Sequence, residues 1–221
     1  MDDRIYRAIF DAVMDQRLAP GTRLPEAALC ELFGATRPVV RRVLQRLALD
    51  RIVELRPNRG AIVAVPTPEE TRQIFEARRG LEAALVRLAA EKATAADLKA
   101  LRRQLKAEHD AMHGTSQPAW ARLACDFHLK LAALARNPIL EAHLAELISR
   151  CSLIVALYEP PGNAACEHDE HARIVDCVAR RDADRAIELM DAHLLSLERK
   201  VSLDRGPSRR GLGQMLGLRQ A

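Results

Sequence analysis

Aromatic side chains are nearly missing: one Trp, two Tyr and four Phe in 221 residues. A core without rings must be filled by Leu, Ala, Ile and Val, which favours packed helices over sheets. Long apolar runs are missing too. No stretch approaches the roughly 18 residues that a membrane span needs. The first ten residues, MDDRIYRAIF, carry no signal-peptide hydrophobic region, so a cytoplasmic protein without a membrane anchor is expected. Cys30, Cys125, Cys151, Cys166 and Cys177 are odd in number and form no C-x-x-C, which predicts reduced thiols. No solenoid-type repeat is present.

Charge is present in both signs but unevenly spread. Residues 1–66 hold 11 Arg and Lys against 8 acids, whereas residues 67–204 hold 19 against 22. The last stretch, 205–221, has four arginines and no acid. Any polyanionic partner is therefore expected at the N-terminal part.

The N-terminal part is punctuated. Residues 4–16 place Ile5, Ile9, Phe10 and Val13 on one helical face. Pro20-Gly21 is a turn. A short helix follows and ends at Gly34. Thr36 is a suitable N-cap, Pro38 falls in the next first turn, and Val40, Val43, Leu44 and Leu47 continue a buried face. IVEL and GAIVAV, with RPNR between them, read as a β-hairpin. The order is helix, helix, turn, helix, two-stranded wing. The boundary falls at PTPEE, residues 66–70.

From there to 204 the pattern is almost wholly helical, over about 69–92, 95–113, 118–135, 138–158, 165–180 and 183–203. Thr94 and Asp97 suit a helix start. The fold class expected is mostly α: a winged helix-turn-helix over 1–66, an all-α antiparallel bundle over 67–204, and a basic tail, 205–221, expected to be disordered.

In a helix-turn-helix the second helix enters the major groove and its first residues meet base edges and phosphates. Arg37 and Arg41, at i and i+4, share a face away from Val40 and Leu47. Thr36 and Arg42 flank them, and Asn58, Arg59 and Gly60 form the wing tip. Arginine can bond guanine O6 and N7 together, or hold phosphate. Thr36, Arg37, Arg41, Arg42, Asn58, Arg59 and Gly60 are thus candidate DNA contacts.

Seven histidines are present. His109, His113, His143 and His168 read as solvated. His171 lies on a face with Ile174, Val175 and Val178, and His193 with Ala186, Leu189, Met190 and Leu197. His128 lies in CDFHLKLAALARN. A lone His on an apolar face is ordinarily a satisfied core residue. Three on three helices of one bundle are natural ligands for zinc, nickel or a similar ion. One reading of such a site is a metal-dependent hydrolase or hydratase. Another is a sensor for which the ion itself is the signal.

Residues 5–64 resemble the winged helix-turn-helix of GntR-family bacterial transcription regulators. The shared positions are Ile5-Tyr6, Pro20-Gly21, Leu24, Glu26, Gly34, Thr36-Arg37, Val40-Arg41, Leu44 and Arg59-Gly60. Arg42 departs by replacing a usual Glu, and Ala27 by replacing an arginine that contacts DNA in some members. EARRGLEAALVRLAA, FHLKLAALARNPIL and the stretch from His171 to Leu194 resemble the FCD effector domain of the FadR-type branch. That resemblance implies a homodimeric regulator, most simply a repressor, that binds a palindromic double-stranded operator and is not an enzyme. It implies a divalent metal on His128, His171 and His193, and a small carboxylate effector near Arg78 and Asn137. The family's aspartate ligand is replaced by Ala124. Asp126 lies about 200° round the helix from His128 and is expected to point elsewhere. Water, the effector's carboxylate or Cys125 would fill the vacant position.

Overall fold

The computed structural model describes residues 2–14, 17–57, 60–112, 117–158, 164–201 and 212–217. It divides into two compact units, with a break between Thr67 and Pro68 at the expected boundary.

The first unit contains α1 (Asp2–Met14), α2 (Glu26–Phe33) and α3 (Arg37–Leu49). Ile5, Ile9, Ala12 and Val13 are the buried face of α1, and Val40, Val43, Leu44 and Leu47 that of α3. Asp2 and Asp3 lie in the first turn of α1, where acids suit the helix dipole. Gly34 closes α2 in the left-handed region at φ 60°. Thr36 is the N-cap of α3 in extended conformation, but its side chain makes no capping hydrogen bond.

The wing differs from expectation. β1 (Arg23–Leu24), β2 (Val53–Arg56) and β3 (Gly60–Val63) form a three-stranded antiparallel sheet in the order β1-β3-β2. β1 is two residues long and shows no alternation in sequence. It is fixed by Gly21 N–H donating to Val63 O and Val63 N–H donating to Thr22 O, both 2.9 Å. Gly60 opens β3 at φ +84°, and a Cβ there would lie 2.3 Å from Leu24 O. Gly60 is thus required by the sheet itself.

The tail was expected to be disordered. Its described part forms α10 (Leu212–Met215), with Met215 and Leu216 buried and Arg17 donating to Met215 O at 2.8 Å. The two apolar side chains give this stretch a reason to order that the Gly- and Arg-rich composition hid. Residues 153–158 and the described residues 212–217 group with the first unit.

The second unit holds α4 (Pro68–Lys92), α5 (Ala95–Met112), α6 (Gln117–Ala133), the part of α7 (Pro138–Tyr158) up to Ser152, α8 (Ala164–Ala179) and α9 (Ala183–Lys200). α9 packs on α4 and α8, and α5 on α6 and α8. Its main core joins Val86, Leu101, Phe127, Leu131, Ile174 and Met190, with others. The caps match the sequence. Thr94 and Asp97 bond reciprocally at the start of α5, and Asp182 accepts from Arg185 N–H at the start of α9. Among the described residues no helix is long and apolar enough to cross a membrane.

Two glycines separate strain from clash. Gly34→Ala meets no atom within 4 Å and should cost only the left-handed penalty, about 1 kcal/mol. Gly60→Ala adds a backbone collision and should cost about 3 kcal/mol or more. Urea unfolding of both variants checks this. Equal losses would show that the strand pairing beside Gly60 is wrongly placed.

Candidate functional site

Two sites were expected, one in each unit. On α3, Thr36, Arg37, Arg41 and Arg42 are all exposed, as the buried face of Val40, Val43, Leu44 and Leu47 requires. Their partners differ. Arg37 has no ion pair among the described residues. Arg41 Nε donates to both carboxylate oxygens of Glu26, at 2.9 and 3.0 Å. Its terminal nitrogens make no hydrogen bond among the described residues. Arg42 donates from Nε and Nη2 to Asp2 Oδ2 at 3.2 and 3.1 Å, tying α3 to the start of α1. Next along this side, Arg46 bonds Asp3 at 2.7 Å and lies 4.1 Å from the Tyr6 ring centre. The Tyr6 hydroxyl donates to Asp50. Asn58 and Arg59 lie outside the described residues, and Gly60 is buried in the sheet.

The second site is built by five helices. His128 comes from α6, His171 from α8 and His193 from α9, all buried. Their donor atoms lie within 4.8 Å of one another. Phe127 forms a wall, its ring stacked on His171 at 4.0 Å between centres. Each imidazole is held at Nδ1 by a different carboxylate. Glu82 of α4 meets His128 at 2.6 Å, Glu108 of α5 meets His171 at 2.9 Å, and Glu170 of α8 meets His193 at 2.7 Å. A carboxylate at Nδ1 selects the tautomer with its proton there and leaves the Nε2 lone pair as the donor.

His171 Nε2 and His193 Nε2 then face each other at 3.3 Å. A proton on one of them makes this a hydrogen bond, and with both lone pairs bare a cation between them offsets their repulsion. Two ligands of a tetrahedral zinc ion, each at about 2.05 Å, would lie about 3.3 Å apart, so the donor set fits such an ion. Electrostatics agree. Burial pushes His171 well below its ordinary value, and the other two histidines add to this. Burial drives His128 down to about 4 against the pull of Glu82. Both are neutral ligands at physiological pH.

The three glutamates escaped the sequence reading. Glu108, which seemed part of a solvated helix end, is fully buried, and burial pushes its carboxyl up to about 8. Burial also opposes ionisation of Glu82, but Arg78 and His128 outweigh it and hold it at about 2. Glu82 is shared. Oε1 accepts from Arg78 Nε at 2.8 Å while Oε2 serves His128. Arg78 is itself buried, with Nη1 bonded to Cys151 Sγ. Its Nη2 lies 2.8 Å from Glu82 Oε1, but the alignment makes no hydrogen bond, so this N–H is unsatisfied.

Other expectations resolve here. Asp126 is exposed, as its helical angle required. Cys125 does not turn to the histidines: its Sγ is 3.0 Å from Ser152 Oγ, and burial raises the thiol to about 11. Asn137 caps α7, its Oδ1 accepting from Leu140 N–H at 3.3 Å. His109 and His143 are exposed, and His113 lies outside the described residues. His168 is not solvated as expected: it is half-buried, packs on His109 and lies 3.9 Å from Glu108.

A helix-turn-helix joined to a ligand-binding helical domain defines a DNA-binding regulator. Residues 1–63 match the family described as bacterial regulatory proteins, gntR family, and residues 73–196 match the FCD domain. The chain belongs to the GntR family of transcription regulators, in its FCD-bearing, FadR-type branch, and is not an enzyme. It is 27% identical over 226 residues to the galactonate operon transcriptional repressor of Escherichia coli, covering 90% of this chain and 96% of that one. It is 29% identical over 213 residues to the regulator LutR of Bacillus subtilis, covering 86% and 96%. A crystal structure of a GntR regulator from Rhodococcus sp. RHA1 shares the fold with a TM-score of 0.77 at 24% identity, over 99% of both chains.

His171→Ala removes the one imidazole packed between Phe127 and His193. The variant is expected to bind zinc at least tenfold more weakly, about the minimum seen for loss of a group that supports a site. Metal analysis after stripping and zinc repletion reads this. Equal zinc content in wild type and variant would reject the site.

Proposed function

We propose that this regulator is a homodimeric repressor acting in the cytoplasm, which binds a palindromic operator and changes its DNA affinity when a small carboxylate effector binds in the helical domain. The observation that carries the effector half is the convergence of three buried imidazoles on one point beside a buried arginine with an unsatisfied N–H. A divalent ion, zinc or nickel, would be held by His128, His171 and His193 and would supply Lewis acidity toward a carboxylate oxygen. Arg78 would bond the same anion. Asn137 keeps its amide nitrogen available for a ligand while its oxygen caps α7. The absence of a fourth protein ligand at Ala124 leaves coordination positions for that acid.

On the DNA, Thr36 and Arg37 would meet the operator first, and Arg41 would follow with its terminal nitrogens. The wing residues Asn58 and Arg59 would lie along the backbone or minor groove, with Gly60 serving the sheet behind them. Arg42 would contribute phosphate contact only by leaving Asp2. Such exposed pairs are worth under about 1 kcal/mol, so phosphate can displace the acid. The names of relatives, among them the galactonate operon repressor, support repression and an organic-acid signal.

Selection from random duplex DNA by the purified protein is expected to enrich a short palindrome. Arg37→Ala and Arg41→Ala should each weaken binding to it by about 1–3 kcal/mol. Unchanged affinity in folded variants would remove α3 as the reading helix. If added metal alone shifts DNA affinity and no carboxylate does, the ion itself is the signal.

A further inference from the structure

We propose that Gln45 is a further base-reading residue of α3 and selects an A·T pair about two base pairs beyond the pair met by Arg41. The proposal rests on the DNA-binding reading above. Arg37, Arg41 and Gln45 stand at i, i+4 and i+8 of one helix, within an arc of about 80°, and all three are exposed. The next position of this stripe is Leu49, which is apolar and 82% exposed, so Gln45 is the last polar group on it. The neighbouring stripe is committed elsewhere: Arg42 and Arg46 bond Asp2 and Asp3 of α1.

Gln45 differs from the other long polar side chains of α3. Arg41, Arg42 and Arg46 each pair with an acid of the same unit. Gln45 makes no hydrogen bond among the described residues, so its amide keeps both a donor and an acceptor to offer. Two adjoining clefts between α3 and the wing share Gln45 and Leu55 in their walls. The charged side chains of those walls are Arg41, Arg51 and Arg56 against Glu26. A concave surface with that excess of cations suits a ridged polyanion, and the edge of a duplex is one.

The chemistry of the stripe divides in two. Arginine offers donors alone and matches the O6 and N7 acceptors of guanine. Adenine presents the N7 acceptor beside the N6 donor, and only a group with both functions, such as the Gln45 amide, matches the two together. Along a helix lying in the major groove, Arg41 and Gln45 are about 6 Å apart, close to two base-pair steps of about 3.4 Å.

The test carries full-length wild type and Gln45→Ala through selection from random duplex DNA. Each enriched palindrome is then altered one pair at a time in competition binding. Gln45 is exposed and alanine is the better helix former, so the variant keeps its fold. Wild type should prefer A·T at one position of each half-site by about 5- to 150-fold, about two pairs from the position that Arg41→Ala relaxes. Gln45→Ala should lose that preference and no other. If it instead weakens binding to every sequence by one factor, Gln45 holds phosphate; if nothing changes, Gln45 is merely solvated. Either result overturns the proposal. A wild type that enriches no palindrome would bring down the DNA reading itself. That result is distinct from one in which wild type and variant select the same palindrome.

Discussion

Two ring nitrogens, Nε2 of His171 and Nε2 of His193, face each other across 3.3 Å inside a buried core, and much of the helical domain follows from that contact. Nothing in the apolar packing of Ile174, Val175 or Met190 demands it. The arrangement is maintained from behind. Each ring is pinned by a carboxylate on its far edge, and Phe127 fixes the plane of His171 by stacking. Five helices contribute to the six side chains, so the centre orders the bundle as much as the bundle orders the centre. Buried polar networks of this kind are costly if half-satisfied, so a carboxylate behind each of the three rings is informative.

Glu82 joins the histidine centre to Arg78. One oxygen holds His128 and the other holds Arg78, so the two groups share a single carboxylate. Burial works against both charges, and each survives because the other is adjacent. An anion that bonded Arg78 would loosen its hold on Glu82, and Glu82 would then act more strongly on His128. Under the proposed effector reading, ligand recognition and imidazole orientation would be coupled through this one side chain.

The sequence disclosed the backbone of this arrangement better than its chemistry. Helix faces could be read from apolar spacing, and the three histidines stood out because they interrupt such faces. The Thr94–Asp97 cap and the Gly34 stop follow local rules that need no tertiary context. β1 could not be read, because two residues cannot show a period and only the pairing with Ala61 and Ile62 of β3 makes Arg23–Leu24 a strand. The glutamates were hidden for another reason. A Glu on a helix ordinarily means solvent, and Glu108 adjoins His109 and Asp110, which are exposed. A signal was nevertheless present: Glu108 continues the buried stripe of Leu101, Gln104 and Leu105, and Glu82 lies one turn after Arg78 on the inner side of α4. A carboxylate on an apolar stripe requires a partner, and a buried histidine is the partner that also needs one.

The helix proposed to read DNA, α3, is governed by the opposite regime. Its arginines are exposed, and Arg41, Arg42 and Arg46 each have an acid from the same unit, in Glu26, Asp2 and Asp3. In water these pairs are weak and are screened by salt. They hold α1, α2 and α3 in register at little cost and release their arginines readily to a denser array of phosphates. Glu26 is the exception in degree: its side chain is 21% exposed and it takes both its bonds from one nitrogen of Arg41. It fixes the direction of that guanidinium while leaving its forked end to the groove. An arginine aimed in advance loses less side-chain entropy on binding than a free one, so Arg41 is better prepared for a base edge than Arg37, whose freedom suits the less exacting geometry of phosphate.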